Sequence, residues 1–525
     1  MTHEQRGRSM TRFLAALLGT ALAAGAATAS AQSITVALNA DIRSTNPGVN
    51  RDDNTDAVVL HMVEGLVGYR ANGSVAPLLA ESVDRSDDGK TYSFRLRQGV
   101  TFHNGAPLTS ADVLWSWNRY MDPKTDWRCR SDFDGRNGLK VEKVEAPDDR
   151  TVTMTLDHAS ALFLDALART DCGGTAILHK DSLKPDGSWD KPVGTGPFRF
   201  GEWRRGESVT VSRFDGYQSP PGDKPDGMVG AKRTALASVK FLVVPDASTA
   251  KAALASGAVD VAQVLETDVP ELNKTKTVEA GFYPSTTKHT FLFQTRDPLL
   301  GNVKLRQAIA ASLDIPQLVA AVSNGEGKPN NSGVPVTSAY YDAVQAKGYA
   351  YDPAKAKALL KEAGYKGEPI RIIANKRVHV PSFNAAVIAQ AMMQAVGINA
   401  QIEVLEWVTQ LDRYNTGNYQ MMSFSYSGRL DPALSYEQFS GPKDSQPRKV
   451  WDDPAVQDLI TKASTISDEA QRQAVFDELH KRQMEATPLI IFSNGQEAWA
   501  HTKRVQGADP WEGKARVWGA RVVGN

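Results

Sequence analysis

Apolar residues alternate with polar ones over Thr91–Leu96, TYSFRL, and this period of two predicts a strand with one buried face. Asp87-Asp88-Gly89 before it and Asn104-Gly105 after it are turn residues. Thr109 is then a predicted N-cap, and Asp112 three residues later completes a capping box. The pattern therefore predicts a strand, a turn and a capped helix in one continuous block.

The same reading along the rest of the chain predicts strands and helices in alternation, which indicates an α/β fold. The predicted strands are Ser33–Leu38, Thr151–Leu156, two within Phe198–Phe214, Val239–Val244, Val259–Val264, Phe291–Phe293, Ile370–Ile373, Ile398–Leu405, Tyr419–Ser425 and Leu489–Phe492. The predicted helices are Asp56–Leu66, Ala247–Ser256, Asn302–Leu313, one begun by Asp352-Pro353 and ended by Gly364, Phe383–Val396, Val408–Tyr414 and Asp468–Ala486.

The first 31 residues predict a cleaved signal peptide. Arg6, Arg8 and Arg12 make a basic segment, Phe13–Ala24 is a short apolar one, and Ala29-Ser30-Ala31 is a typical cleavage site. The alternative is a membrane anchor, but Phe13–Ala24 is shorter than the roughly 20 residues that a span needs. We therefore expect export, with cleavage after Ala31.

Charge and length narrow the class of protein. The chain has 60 basic and 60 acidic residues, which argues against a nucleic-acid partner and against an anionic membrane surface. Its 525 residues exceed what a single core usually fills, so we expect two or three domains.

The chain has two cysteines, Cys129 and Cys172. An even count in an exported protein predicts one disulfide. Two buried free thiols are the alternative. A metal site is not predicted, because two separated cysteines lack the usual four-ligand spacing.

Several blocks occur in an order that resembles the extracellular solute-binding proteins of peptide-type ABC importers, family 5. The blocks are Glu64-Gly65-Leu66, Leu79–Pro123, Pro192–Phe198 with Trp203 and Gly206, Val303–Asp314 and Tyr351–Tyr365. The resemblance implies a two-lobed, periplasmic-binding-protein-like fold with a cleft and an extra domain. It also implies that the protein alternates between open and closed forms around a ligand.

The resemblance further implies a domain organisation and a function. We expect lobe I to comprise 32–70, 190–290 and 493–525, an additional domain 71–189, and lobe II 291–492. The expected protein is a monomeric periplasmic receptor without a cofactor. It would capture short peptides, or peptide-like carboxylated solutes such as an opine or a glutathione-like molecule, for an ABC permease.

The segment after Gly428 is the main candidate for ligand binding. Dipeptide binders of this family carry an acidic residue there for the α-ammonium of the peptide, whereas this chain has Arg429. A guanidinium suits a carboxylate, so we expect Arg429 to bind a carboxylate of the solute and Asp431 to meet an amine. The alternative is that Arg429 pairs with Asp431 or another neighbour and only orders the loop.

Weaker candidates surround this segment. Arg377 is a second cation for a carboxylate, unless it is a solvated charge at a strand end, and His379 is weaker. Trp407, Tyr426 and Tyr436 are candidates for stacking on apolar parts of the solute, although Trp407 also suits the core. The remaining candidates are Asn494, Gln496, Ser44, Thr45 and Asn46.

Two other classes of protein stay open. A secreted enzyme such as a peptidase would need a nucleophile with its base, or metal ligands, and no P-loop, HExxH or GxSxG motif is present. A receptor that reports to a sensor would share all the features above. The motif order favours a solute receptor over an enzyme and does not separate transport from sensing.

Overall fold

The computed structural model describes residues 32–377, 380–466 and 468–523, with all side chains except that of Val408. The predicted signal peptide and His379 lie outside the described residues. The strands are β1 Ser33–Leu38, β2 Val67–Tyr69, β3 Val75–Pro77, β4 Ala80–Arg85, β5 Thr91–Leu96, β6 Val141–Asp148, β7 Thr151–Leu156, β8 Phe198–Arg204, β9 Ser208–Arg213, β10 Pro225–Asp226, β11 Val229–Gly230, β12 Ser238–Val243, β13 Val261–Val264, β14 Val278–Phe293, β15 Ile370–Ala374, β16 Ala400–Val404, β17 Met421–Tyr426, β18 Leu489–Thr502, β19 Val505–Gln506 and β20 Arg521–Val522. The helices are α1 Asp53–Val59, α2 Ser110–Met121, α3 Phe163–Ala168, α4 Ala247–Ser256, α5 Val269–Leu272, α6 Val303–Ser312, α7 Ile315–Val322, α8 Pro353–Glu362, α9 Ser382–Ala395, α10 Trp407–Thr416, α11 Pro432–Phe439, α12 Pro454–Thr465 and α13 Glu469–Ala486.

A ten-stranded mixed sheet has the order β16-β15-β17-β14-β18-β13-β1-β12-β9-β8. β1 is parallel to β12 and β13, and β15 is parallel to β16 and β17. These two parallel groups lie on opposite sides of the antiparallel pair β14–β18. Two α/β units therefore share one sheet, and two long strands join them at its centre.

The strands β14 and β18 each contribute to the cores of both units. Phe291 of β14 and Ile490 of β18 lie in the core that α6, α8 and α9 cover. Val278 of β14 and Ala498 of β18 lie in the core under α4 and α5. The two strands are therefore anchored at both ends by apolar burial, and we call them the connecting strands.

A second, four-stranded antiparallel sheet has the order β4-β5-β7-β6. The helix α2 begins with the predicted capping box, because Thr109 donates to Asp112 Oδ2 from its backbone N–H at 2.9 Å and from its hydroxyl at 2.8 Å. Trp117 of α2 lies in the core of this unit. Cys129 and Cys172 form the predicted disulfide beside the same core.

Another core packs against the main sheet. It contains residues from both ends of the described chain, including Val36 of β1 and Trp518. The backbone N–H of Val517 donates to Nε2 of the buried His61 at 3.2 Å, so Nδ1–H donates to the carbonyl of Ala57 at 2.7 Å. Burial lowers the pKa of His61 to about 3, which keeps the ring neutral. The C-terminal segment is therefore an integral part of this core.

The predicted helix Asp56–Leu66 is wrong in its extent, since α1 ends at Val59. The backbone of the next residues forms hydrogen bonds with another segment. The carbonyl of His61 accepts from the N–H of Phe198, and the carbonyl of Met62 accepts from the N–H of Gly196. The apolar spacing after Val59 therefore reflects burial in a loop.

None of the helices among the described residues combines the length and the apolar character that a bilayer span requires.

Candidate functional site

A cleft of about 810 Å³ lies at the carboxyl ends of β1, β12 and β13 and faces the segment that follows β15. Carboxyl ends of parallel strands are the usual location of ligands in α/β sheets. The connecting strands supply Ser285, Thr287 and His289 from β14 and Ser493–Trp499 from β18 to its lining. Both α/β units therefore contribute to one cleft, with the connecting strands between them.

The connecting strands are irregular where they pass the cleft. Their pairing shifts register between Pro284 and Lys288. Asn494 holds this region together: its Oδ1 accepts from Asn330 Nδ2 and from the N–H of Val336, both at 3.0 Å, and its Nδ2 donates to the carbonyl of Thr287 at 3.2 Å. Asn494 thus lines the cleft, but its amide is engaged in bracing the strands.

The charged residues in the lining of the cleft are acidic among the described residues: Asp52, Asp53, Glu266 and Glu497. Burial raises the pKa of Glu497, to which Trp499 Nε1 donates a hydrogen bond at 3.2 Å. Gln496 also lines the cleft and donates to Glu266 at 3.4 Å. The cleft itself is therefore suited to polar and basic parts of a solute.

The loop that carries Arg429 packs against β14. The cleft is lined by Ser285, Thr287 and His289, so Thr286 and Lys288 point away from it, as the period of a strand requires. Gly428 packs against Thr286 so closely that a Cβ there would be 2.3 Å from Thr286 Oγ1. This contact fixes the start of the Arg429 loop on the connecting strand.

Thr286 is held from a third direction by Glu512. Its hydroxyl donates to Glu512 Oε2 at 3.0 Å. Glu512 and Gly513 have φ values of 45° and 76° between Trp511 and Lys514, whose backbones are bonded to each other, which is the pattern of a type I′ turn. A glutamate with positive φ is strained, so the turn holds this carboxylate on Thr286 at a conformational cost.

Arg429 has an exposed side chain and no carboxylate partner among the described residues. Its Nη1 donates to the carbonyl of Gly428 at 2.8 Å and to Ser427 Oγ at 3.1 Å. Partial burial, and then the guanidinium of Arg169, lower the pKa of Arg429. Arg169 is itself paired with Asp132 and Asp171, so Arg429 is the cation of the two that can still pair with an anion.

Asp431 lies in a different environment from Arg429. It is buried, it forms an ion pair with Arg472 at 2.8 Å, and it accepts a hydrogen bond from the N–H of Ala433 as the N-cap of α11. Asp431 and Arg472 line a separate cavity of about 370 Å³. Its carboxylate is therefore committed to Arg472 and the helix.

The structure brings Arg377 and Trp407 together, with the guanidinium 4.0 Å from the ring centroid. Trp407 also stacks on Phe424 at 5.9 Å. Tyr426 and Tyr436 are buried in the core that contains Phe424. The four aromatic side chains form one packed group, and Arg377 covers its edge.

The first loop faces α2 and the segment near residue 189. Asn46 Oδ1 accepts from Arg119 at 2.9 Å, and Thr45 Oγ1 accepts from Trp189 at 3.0 Å. Ser44 Oγ accepts from the N–H of Asn46 at 2.9 Å. These side chains are thus engaged with one another and with the neighbouring unit.

The reading of the sequence missed Glu497, Glu512 and Lys288. The first two lie near the end of the chain, outside any motif with a known spacing. The dipeptide Glu512-Gly513 does not by itself predict a type I′ turn, because such a turn normally prefers Asn-Gly. β14 contains Glu279 near its start and Lys288 next to its apolar end, and this lysine is the clearest signal in the sequence.

Comparison with known proteins gives a consistent picture. The model of the bacterial extracellular solute-binding proteins, family 5, matches residues 74–447. The dipeptide-binding protein of Escherichia coli K12 is 28% identical over 86% of this chain and 87% of its own length. The glutathione-binding protein GsiB of the same organism is 29% identical over 74% of this chain and 72% of its own length.

Two solved structures share the fold. HbpA2 from Haemophilus parasuis has a TM-score of 0.78 at 24% identity, covering 94% of this chain and 100% of its own. The binding protein AgaA from A. tumefaciens R10, in complex with agropinic acid, has a TM-score of 0.65 at 26% identity, covering 94% of this chain and 99% of its own. The predicted two-lobed, periplasmic-binding-protein-like fold is confirmed.

Proposed function

The chain belongs to the bacterial extracellular solute-binding proteins, family 5, and we propose that it captures short peptides or peptide-like carboxylated solutes for an ABC permease. The observation that carries this proposal is the cleft of about 810 Å³ to which both α/β units and both connecting strands contribute. Its size lies within the range of roughly 300–1,000 Å³ that is typical of small-molecule sites.

Capture follows from the way in which the two units are joined. Each connecting strand is anchored in both units and irregular between them, which is the arrangement of a hinge. A solute that contacts both walls binds the closed form more tightly than the open form. It therefore shifts the balance toward closure by that difference in affinity. Opening releases the solute unchanged.

The charges support a solute with both signs. Glu497 in the cleft suits a basic group, and Arg429, on the loop that packs against Thr286 of β14, suits a carboxylate. The relatives point in the same direction: one is a dipeptide-binding protein, another is a glutathione-binding protein, and AgaA is in complex with agropinic acid. We therefore keep Arg429 as the residue for a carboxylate of the solute.

The domain boundaries that we propose are those expected from the sequence, with lobe I formed by 32–70, 190–290 and 493–525. The shared core of Val36 and Trp518 supports this discontinuous lobe. The separate core with the disulfide supports an additional domain over 71–189, and the core with Phe291 supports lobe II over 291–492. We further propose a monomer that is exported to the periplasm by residues 1–31 and cleaved after Ala31.

The test is a binding experiment with recovery of the solute. Protein purified without denaturation is analysed by mass spectrometry for a bound solute, and calorimetry then measures binding of Ala-Ala-Ala, glutathione and the solute that was found. We expect saturable binding, a rise in melting temperature with ligand concentration and recovery of the ligand intact. Conversion of the ligand would point to a peptidase. A protein that binds none of these compounds would refute the proposal.

A further inference from the structure

Lys288 is a fully buried lysine in the irregular part of the connecting strand β14. Its ammonium lies 3.3 Å from Ser435 Oγ and 3.4 Å from the carbonyl of Thr286. Both distances are near the outer limit of a hydrogen bond, and a lysine has three N–H donors. Among the described residues no carboxylate lies within ion-pair distance of it. A buried charge left in this state is costly.

The chain satisfies its other buried lysines better. Lys232 forms an ion pair with Glu64 at 2.9 Å. Lys443 donates to Thr295 Oγ1 at 2.8 Å and makes a still shorter contact with Gln294 Oε1. The weak contacts of Lys288 are therefore a property of this position rather than of buried lysines in this protein.

The charged neighbours of Lys288 explain what it lacks. Arg429 lies on the loop that packs against Thr286, and Glu512 lies on the turn that packs against the same residue. Ser435 faces it from α11, and its strand partners Tyr426 and Asn494 carry no charge. Burial first, and then the charge of Arg429, lower the pKa of Lys288 to about 7, and the carboxylate of Glu512 acts in the opposite direction. Asp171 and Glu437 act on Arg429 in one direction, and Arg169 and Arg128 act on it in the other. Within the part of the chain that the structure describes, neither Lys288 nor Arg429 forms an ion pair.

We propose that Lys288 and Arg429 form an anion site, in which Arg429 contacts a carboxylate of the solute and Lys288 selects for its charge from beneath the loop. This proposal rests on the proposed function, because the anion is part of the captured solute. The charge of Arg429 already acts on Lys288, so an anion on Arg429 acts on Lys288 in the opposite sense without touching it. Binding of the anion in turn favours the protonated lysine, and the protein takes up a proton when it binds near neutral pH.

The test compares Lys288→Met with Lys443→Met, which makes the same chemical change at a buried lysine away from the loop. Sodium malonate is titrated at constant ionic strength while the melting temperature is followed. We expect malonate to stabilise the wild type and Lys443→Met equally, and Lys288→Met much less. Without malonate we expect Lys288→Met to melt above the wild type, since an uncompensated charge has been removed. Equal stabilisation of all three proteins by malonate, or of none, would overturn the proposal.

A second arm uses Ala-Ala-Ala and its C-terminal amide, measured by calorimetry in two buffers of different ionisation enthalpy. We expect the wild type to prefer the acid by about tenfold, and this preference to fall in Lys288→Met. Proton uptake on binding should be lost in the same variant. A preference that Lys288→Met retains in full would overturn the inference while leaving the proposed function intact. A malonate effect without binding of either peptide would leave the anion site and refute peptide capture.

Discussion

Gly428→Ala tests whether the contact with the connecting strand positions the Arg429 loop. Gly428 does not have a positive φ, so alanine causes no backbone strain there. Its Cβ, however, would lie 2.3 Å from Thr286 Oγ1, about 1 Å inside ordinary van der Waals contact. Overpacking of this kind costs about 1–3 kcal/mol.

The cost should be relieved by a second change. Thr286→Ala removes the clashing oxygen, and the nearest remaining atoms of residue 286 are its carbonyl carbon at 3.3 Å and its Cβ at 3.4 Å. Thr286→Ala alone costs about 1–3 kcal/mol, because it removes the hydrogen bond to Glu512. We therefore expect the double variant to be about as stable as Thr286→Ala alone.

The assay is urea unfolding together with calorimetry of the solute that co-purifies. Gly428→Ala should lose about 1–3 kcal/mol of stability and bind about tenfold more weakly, because the Arg429 loop is displaced. Gly281→Ala is the matched control, since its nearest atom would be at 3.8 Å. Unchanged stability and affinity in Gly428→Ala, or a double variant that carries the sum of both losses, would refute the reasoning.

Three further predictions concern stability. Glu64→Gln leaves the ammonium of Lys232 buried without its ion pair, so it should lower the free energy of unfolding in urea by about 3–5 kcal/mol. Adding Lys232→Met to the same chain should restore most of this loss. A double variant whose loss equals the sum of the two single losses would contradict this prediction. Replacing Cys129 and Cys172, 43 residues apart, by alanine should lower the free energy of unfolding by about 4 kcal/mol, and an unchanged thermal melt would argue against a structural disulfide. The pKa of His61 is about 3 in the folded protein and higher in the unfolded chain, which therefore binds the extra proton, so stability falls as pH drops below about 6.5 by up to about 1.4 kcal/mol per pH unit. His61→Gln should remove this part of the slope between pH 7 and 5, and an identical slope would contradict the assignment.

The elements that the sequence predicts well are those whose signals are local. The strand Thr91–Leu96 follows from strict alternation. The helix Ala247–Ser256 follows from Asp246, which caps it, and from Gly257, which ends it with a positive φ. In both cases the signal lies in neighbouring residues, so it can be read without knowledge of the rest of the fold.

The connecting strands could be predicted only at their apolar ends. The sequence predicts strands over Phe291–Phe293 and Leu489–Phe492, whereas β14 spans Val278–Phe293 and β18 spans Leu489–Thr502. Their middle parts are polar because they border the cleft, so no alternation marks them. The extended conformation there comes from the pairing of two segments about 200 residues apart, as a register such as Tyr283 with Glu497 shows.

The candidate site was predictable in kind but not in its pairing. A family motif directs attention to the loop after Gly428, and the structure places that loop against β14. The motif does not reveal that Asp431 pairs with Arg472, or that the guanidinium of Arg377 lies over the ring of Trp407. These partners come from distant parts of the chain, and only the packing of the two units brings them together.

The place of Trp518 and Val517 in the core built around β1 bears on how the polypeptide is made. The core around β1 cannot close until Val517 and Trp518 have left the ribosome. Nascent domains commonly fold as soon as they emerge, but this unit has to wait for residues that are made long after β1. A nascent chain that lacks Val517 and Trp518 therefore leaves β1 without part of its packing, whatever the rest of the chain has already formed.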